Sequence, residues 1–266
     1  MEEFRNYDSS LHSVRKNYTK NRTRQTVEYV ERMRRTYCVF TKSIPIWTIF
    51  EELNAFVDAS DPDLSLPNSI HGFQTAEQMR KDGQPDWLQL VGLIHDIGKI
   101  MFLKGRDEDG TSVQEQWGIV GDTFIVGCSL SPHNIYPELN ELNPDTKDPI
   151  YSTEYGIYAP HCGLDQVMCS WGHDEYLYQV LLANETKIPD EGLYIIRFHS
   201  LYPYHSKGDY SRFMSQKDKD YLSWLRIFKQ YDLYTKSDTN EIDVEKIKPY
   251  YSALIEKYIG KGYLLV

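Results

Sequence analysis

The chain has 266 residues, 41% of them hydrophobic and 26% charged, with a formal net charge of −10. That is enough apolar material for one sizeable core, and the wrong sign for a general nucleic-acid binder, which needs a basic face to displace counterions. No apolar run approaches the length of a membrane span, and "MEEFRNYDSS" lacks a basic stretch leading into an apolar one, so neither a membrane nor a secretory route is expected.

Residues 12–35, "HSVRKNYTKNRTRQTVEYVERMRR", carry eight Lys/Arg against two Glu and read as a solvated N-terminal helix with its approach. Residues 1–40 are therefore taken as an N-terminal extension and helix packed on a domain spanning 41–266. In "SIPIWTIFEELNAFVD" (43–58) a Ser start signal, Pro45 in the first turn and apolar Ile46, Ile49, Phe50, Leu53, Phe56 and Val57 at helical spacing predict a helix. It ends in the loop "ASDPDLSLPNS". "SIHGFQTAEQMRKD" and "PDWLQLVGLIHDIGKI" predict two more helices. Residues 104–116, "KGRDEDGTSVQEQ", are polar and read as an exposed excursion, whereas "WGIVGDTFIVG" is β-rich and short.

The Pro/Asn-rich stretch 131–149 has the composition of a linker, but chemistry-bearing residues lie on both sides of it, so no domain boundary is placed there. Helices follow in "HDEYLYQVLLAN", "PDEGLYIIRFHSL", "KDKDYLSWLRIFKQYD" and "DVEKIKPYYSALIEKYI", the last with Pro249, which should kink it. No repeats or low-complexity tracts stand out. The expected fold is mainly α, a single compact helical domain with a short β-hairpin element. The four cysteines (Cys38, Cys128, Cys162, Cys169) show no CxxC pairing and read as reduced thiols of a cytoplasmic protein.

"LVGLIHDIGKI" (90–100) places His95, Asp96 and Lys99 at the end of a segment otherwise suited to burial. A buried charge is costly unless paired or ligated, so the stretch is either a local ion pair or part of a metal site. On a helix Lys99 stands three and four residues beyond Asp96 and His95, so all three can look into one cavity. His95 and Asp96 point about 100° apart round the axis, which suits an imidazole on one metal and a carboxylate bridging to a second. Single polar residues in apolar segments recur at His71, His173, His199 and Asp232. Taken singly, each also reads as a hydrogen-bonded core or helix-end residue. Asp174, beside His173, reads as a helix cap or an orienting residue rather than a ligand. His12, His133, His161 and His205 lie in loop-like or polar surroundings and receive no role.

The pattern of His71, His95-Asp96 and Asp232 resembles the HD-domain metal site, whose usual members are phosphohydrolases. A fuller resemblance is to the myo-inositol oxygenase family, carried by "DPDLSLPNSIHGFQTAE", "LVGLIHDIGK", "VGDTFIVGC", "YSTEYGIYAPHCGLDQVMCSWGHDEYLYQV", "IIRFHSLYPYH", "YDLYTK" and "KIKPYYSALIEKYI". This resemblance implies an HD-domain-like helical fold and a non-haem di-iron oxygenase that uses O2 to open the ring of myo-inositol to D-glucuronate. It implies a mixed-valent Fe(II)/Fe(III) pair, with hydrogen abstraction from the ring by a superoxo species. His71, His95 and Asp232 would hold one iron, His173 and His199 the other, with Asp96 bridging.

The implied substrate contacts are Arg5, Asp58, Ala59, Ser60, Lys99, Gly121, Asp122, His199 and Ser200, and Lys99, Asp96 and His199 carry the catalytic roles. The implied partners are the small molecules myo-inositol and O2, with no nucleic acid or membrane, and the chain is expected to act as a monomer. Compared with animal members, the polar segment between Lys99 and Trp117 is longer and the approach to Arg5 shorter.

Four imidazoles and two carboxylates leave such an iron pair with a charge of about +3. Each unit of that charge repels an ammonium at about 5 Å by roughly 3 kcal/mol at an effective dielectric of about 20. Lys99 is therefore expected to sit beside a compensating oxyanion, taken to be a substrate oxygen, and not to ligate metal. The alternative reading, an HD phosphohydrolase acting on a nucleotide or other phosphate ester, predicts a basic pocket. Apart from Lys99 and Arg5, the segments around the candidate ligands offer few bases.

Overall fold

The computed structural model describes residues 12–61, 68–234 and 242–266. Ten α-helices are described: α1 (His12–Arg24), α2 (Val27–Tyr37), α3 (Ile46–Leu53), α4 (Asn68–Lys81), α5 (Asp86–Ile94), α6 (His173–Ala183), α7 (Asp190–Phe198), α8 (Tyr202–Lys207), α9 (Gln216–Tyr234) and α10 (Val244–Tyr258). Two short strands, β1 (Ser43–Pro45) and β2 (Tyr263–Leu265), complete a mainly α architecture. No helix among the described residues is long and apolar enough to cross a membrane.

One apolar core runs from Val27 to Val266 and takes side chains from α2 through β2. Within it α4 packs on α5 and α6 on α7, while α9 lies against α4, α5 and α7. A small second cluster, Val14, Tyr18 and Leu139, seats α1 on the 137–142 turn. Burying each large apolar side chain contributes about 1.5–3 kcal/mol, so these contacts set where the helix ends must lie.

Several sequence expectations are corrected. The 43–58 segment is not one helix. Ser43–Pro45 pairs antiparallel with β2, Ser43 opposite Leu265 and Pro45 opposite Tyr263, and helix α3 ends at Leu53. The small β element thus joins segments far apart in sequence rather than forming a hairpin. Beyond Leu53 the chain turns so that Phe56 can stack on Phe102 at 5.4 Å, and Asp58 falls in a turn. The "WGIVGDTFIVG" stretch is irregular, with a single bridge between Ile125 and Cys169.

The 85–100 segment is also divided. Helix α5 stops at Ile94, and Ile97–Lys104 forms a 3₁₀ helix. In 3₁₀ geometry residues three apart are eclipsed, which stacks Lys99 over Asp96. Gly98 makes this possible, because a Cβ there would collide with the His173 carbonyl at the start of α6.

The 104–116 segment is not a free excursion either. Asp109, Thr111, Ser112 and Gln116 are buried. The Arg32 guanidinium (2.5 Å) and the Tyr37 hydroxyl (3.0 Å) both donate to the Asp109 carboxylate. Tyr29 OH donates to the Asp109 carbonyl at 2.6 Å. Residues 12–35 likewise form two packed helices rather than one solvated one, and Arg22 is fully buried with its guanidinium over the Phe124 ring at 4.5 Å.

Candidate metal centre

Helix ends deliver the imidazoles. Helix α5 ends at Ile94 and α7 at Phe198, so His95 and His199 each occupy the first position past a helix. The last carbonyls of a helix lack intrahelical partners. His95 Nδ1 lies 2.9 Å from the Gly92 carbonyl and His199 Nδ1 lies 2.8 Å from the Ile196 carbonyl, each three residues back. His173 opens α6, and its Nδ1 lies 2.8 Å from the Ile119 carbonyl, which also accepts the His173 backbone N–H at 2.9 Å. A carbonyl only accepts, so all three rings must carry a proton on Nδ1. In the neutral ring Nε2 is then a bare lone pair.

Those Nε2 atoms converge around Asp96. His173 Nε2 is 3.2 Å and His199 Nε2 3.8 Å from Asp96 Oδ1, while His95 Nε2 is 3.7 Å from Oδ2. From α4, His71 Nε2 lies 2.9 Å from Asp232 Oδ1, which is also 3.4 Å from His95 Nε2. Helix α9 puts Phe228 one turn before Asp232, where its ring packs edge-on to His95 at 5.3 Å and to His199 at 6.0 Å.

All six candidate ligands are buried. They form two groups whose donor atoms lie within 4.8 Å of one another: His71, His95 and Asp96, and Asp96, His173 and His199. Asp96 is common to both.

The electrostatics favour a cation among these groups. His173 Nε2 and His199 Nε2 face each other at 3.1 Å, two lone pairs in contact unless a proton or a metal ion lies between them. Among the described residues, the buried His95 Nε2 has no hydrogen-bond partner. Burial by itself would push Asp96 up, but the Lys99 ammonium beside it holds it well below the usual carboxylate range. Burial is likewise outweighed at Asp232 by His71 and His95, and Asp232 too lies well below its ordinary value. Two ionised carboxylates amid inward-facing imidazole lone pairs are a donor set that fits metal ions.

Lys99 Nζ donates to Asp96 Oδ2 at 2.8 Å and to Asp58 Oδ2 at 2.9 Å. Desolvation pulls the ammonium down, yet the two carboxylates more than compensate and hold its pKa above the ordinary lysine value. The compensating oxyanions are thus the protein's own carboxylates, a correction to the expectation that substrate alone would supply one. Asp58 closes its turn on itself, Oδ1 accepting from Ser60 N at 2.8 Å and Ser60 Oγ at 2.7 Å.

The other candidate contacts fall into two places. Gly121 adopts φ +117°, and Asp122 is buried, accepting from Tyr18 OH at 3.4 Å and Ile135 N at 3.2 Å. The Ser200 carbonyl accepts the Thr123 N–H at 3.0 Å, which joins the Gly121-Asp122 turn to His199-Ser200. Thr123 Oγ1 also donates to Asp174 Oδ2 at 2.5 Å, so Asp174 ties α6 to this turn. Arg5 lies outside the described residues.

Two contributors had no role in the sequence reading. Tyr18 caps Asp122 from α1, and nothing local marks it. His205, passed over for its polar surroundings, is buried and donates from Nε2 to the His199 carbonyl at 2.9 Å. Burial pushes its pKa down to about 3, so it stays neutral.

Fold and site together define a mainly helical protein with a buried His/Asp cluster of metal-binding composition. The family model for myo-inositol oxygenase matches residues 11–264. A mouse inositol oxygenase is 48% identical over 260 residues, covering 96% of this chain and 88% of the relative. A rice probable inositol oxygenase is 47% identical over 260 residues, covering 96% and 82%. A Dictyostelium discoideum inositol oxygenase is 43% identical over 263 residues, covering 97% and 88%. The chain belongs to the myo-inositol oxygenase family of enzymes.

Proposed function

We propose that this chain oxidises myo-inositol with O2 to D-glucuronate at two irons, His71, His95 and Asp232 holding one, His173 and His199 the other, with Asp96 shared. The observation that carries this reading is the pair of buried groups, each of two histidines and a carboxylate, that meet at Asp96. Two histidines with one or two carboxylates form a nitrogen and oxygen donor set that suits non-haem iron and leaves coordination positions open. Iron held there supplies Lewis acidity toward a diol and one-electron chemistry toward O2.

The overall change balances: a ring C–C bond breaks and four electrons pass to O2. One oxygen atom enters the new carboxylate, and the other leaves as water with one proton released. The protein's own groups serve substrate binding and proton placement. Lys99, protonated, donates and does not act as a base, so it stabilises negative charge developing on a substrate oxygen beside Asp96. Asp58 with Ala59 and Ser60, and Gly121-Asp122 with Ser200, offer an uncharged polyol acceptors and donors. Arg5 and His199 complete the proposed contacts.

The test is anaerobic reconstitution with Fe(II), partial oxidation, then addition of inositol and O2 with glucuronate assayed. Glucuronate forming in proportion to O2 consumed is expected. Turnover of nucleotide monophosphates with Mg2+ or Mn2+, and none of inositol, would overturn the reading.

A further inference from the structure

The Asp58 turn belongs to no helix or strand, and beyond the Ser60 bonds to Asp58 something outside it must tie its backbone to the fold. That role falls to Gln116. Its buried amide donates from Nε2 to the Val57 carbonyl at 3.1 Å and to the Val113 carbonyl at 3.0 Å, and Oε1 accepts the Ala59 N–H at 2.9 Å. Two of these bonds land on the residues immediately before and after Asp58, the partner of Lys99. The Gln116 carbonyl in turn accepts from Ile119 N (2.8 Å) and Val120 N (3.0 Å), starting the turn that leads to Gly121-Asp122. Ile119 is the residue whose carbonyl orients His173.

The backbone around Gln116 is itself anchored. The Lys20 ammonium pairs with Glu115 at 2.5 Å, and Ser112 N donates to the Glu115 carbonyl at 3.1 Å. Gln116 thus stands where the N-terminal helices, the Asp58 turn and the Asp122 turn meet.

We infer that Gln116 is a positioning residue for the polyol: its amide fixes the Asp58–Ser60 turn and, through Asp58, the Lys99 ammonium. This inference rests on the oxygenase reading above. Gln116 touches none of the candidate metal ligands by its side chain, so substrate affinity should depend on the amide while iron binding does not. Val57 is exposed and Ala59 half-buried, so the turn lies at the surface of the fold and not in its core. Loss of the amide should loosen the turn rather than unfold the chain.

The experiment compares wild type with Gln116→Met, of the same length and without the amide, in the full iron-reconstituted chain. KM for myo-inositol is expected to rise about tenfold or more, with kcat falling as well to the extent that the Lys99 ammonium is displaced, and iron content unchanged. If Gln116 acts through Asp58, the losses in affinity from Gln116→Met and Asp58→Ala will not add in the double variant. Should Gln116→Met fail to accumulate, Gln116→Glu keeps the acceptor for Ala59 and loses both donors, and must raise KM in the same direction. An active wild type with KM unchanged in these variants, or with additive losses, overturns this inference alone. A wild type that never turns over inositol overturns it together with the oxygenase reading.

Discussion

Helices α5 and α7 deliver imidazoles by the same device and then part ways. Each has nine residues, opens on Pro-Asp and is followed directly by histidine. Pro85 and Pro189 hold extended backbone ahead of the first turn, and the His95 and His199 backbone N–H groups return to Val91 and Ile195. In both, Nδ1–H occupies a carbonyl that the helix end would leave without a partner, which aims Nε2 away from the helix.

The next residues differ. After His95 the chain tightens into 3₁₀ turns that present Asp96 and Lys99 to the centre. After His199 it runs through Ser200 into α8, from which His205 braces the His199 carbonyl. Where an imidazole lies is set by the helix end, and what accompanies it is set by the few residues that follow.

Removing the imidazoles should break the comparison most completely. His95→Ala and His199→Ala should each cut glucuronate formation by far more than the roughly 10–100-fold that loss of an outer partner costs. Iron per chain should fall in each by about one ion, measured by metal analysis and Mössbauer spectroscopy. If one variant keeps both irons, α5 and α7 are not equivalent as ligand carriers.

The asymmetry after the helices is sharpened by Lys99→Met. Without the ammonium, Asp58 and Asp96 face each other in the metal-free protein, and taking one partner from a buried ion group costs about 3–5 kcal/mol. Denaturant melts of metal-free protein should show that loss, and iron should restore part of it by neutralising Asp96. Equal losses with and without iron would argue against Asp96 as a ligand.

Gly98→Ala probes the same junction by shape rather than charge. The added methyl meets the His173 carbonyl, and overpacking of this kind costs about 1–3 kcal/mol. Thermal melts should record the destabilisation, with iron affinity falling at the His173–His199 group because the start of α6 must shift.

Much of this arrangement was legible beforehand, and the rest depended on partners remote in sequence. The helical stretches around His71, His173 and Asp232 announce themselves by apolar spacing, and single polar residues within them mark the candidate ligands. The end of α5 does not, because the same apolar spacing continues past His95. Nor does β1, whose partner lies at the other end of the chain, or the burial of Asp109, which depends on Arg32 and Tyr37. His205 lies in polar sequence surroundings, and its partner is a backbone carbonyl, which no side-chain pattern reveals. The shared Pro-Asp…His spacing of α5 and α7 was in plain view, but it is too short and its intervening residues too unlike to register as a repeat.

The smallest effect tests whether the shared helix starts matter. Asp190 and Asp86 both sit in the first turn, where a carboxylate meets unpaired N–H groups and the positive end of the helix dipole. Asp190→Asn keeps the shape and removes the charge, and should cost about 0.3–1 kcal/mol in denaturant melts, less at high salt. Asp86→Asn should cost more, because Asp86 also accepts from Tyr258 OH at 2.6 Å and Lys257 Nζ at 2.5 Å, tying α5 to α10. Turnover should be unchanged in both, since neither carboxylate faces the centre. A loss of activity in Asp190→Asn without loss of stability would show that the helix start tunes His199 as well as holding it.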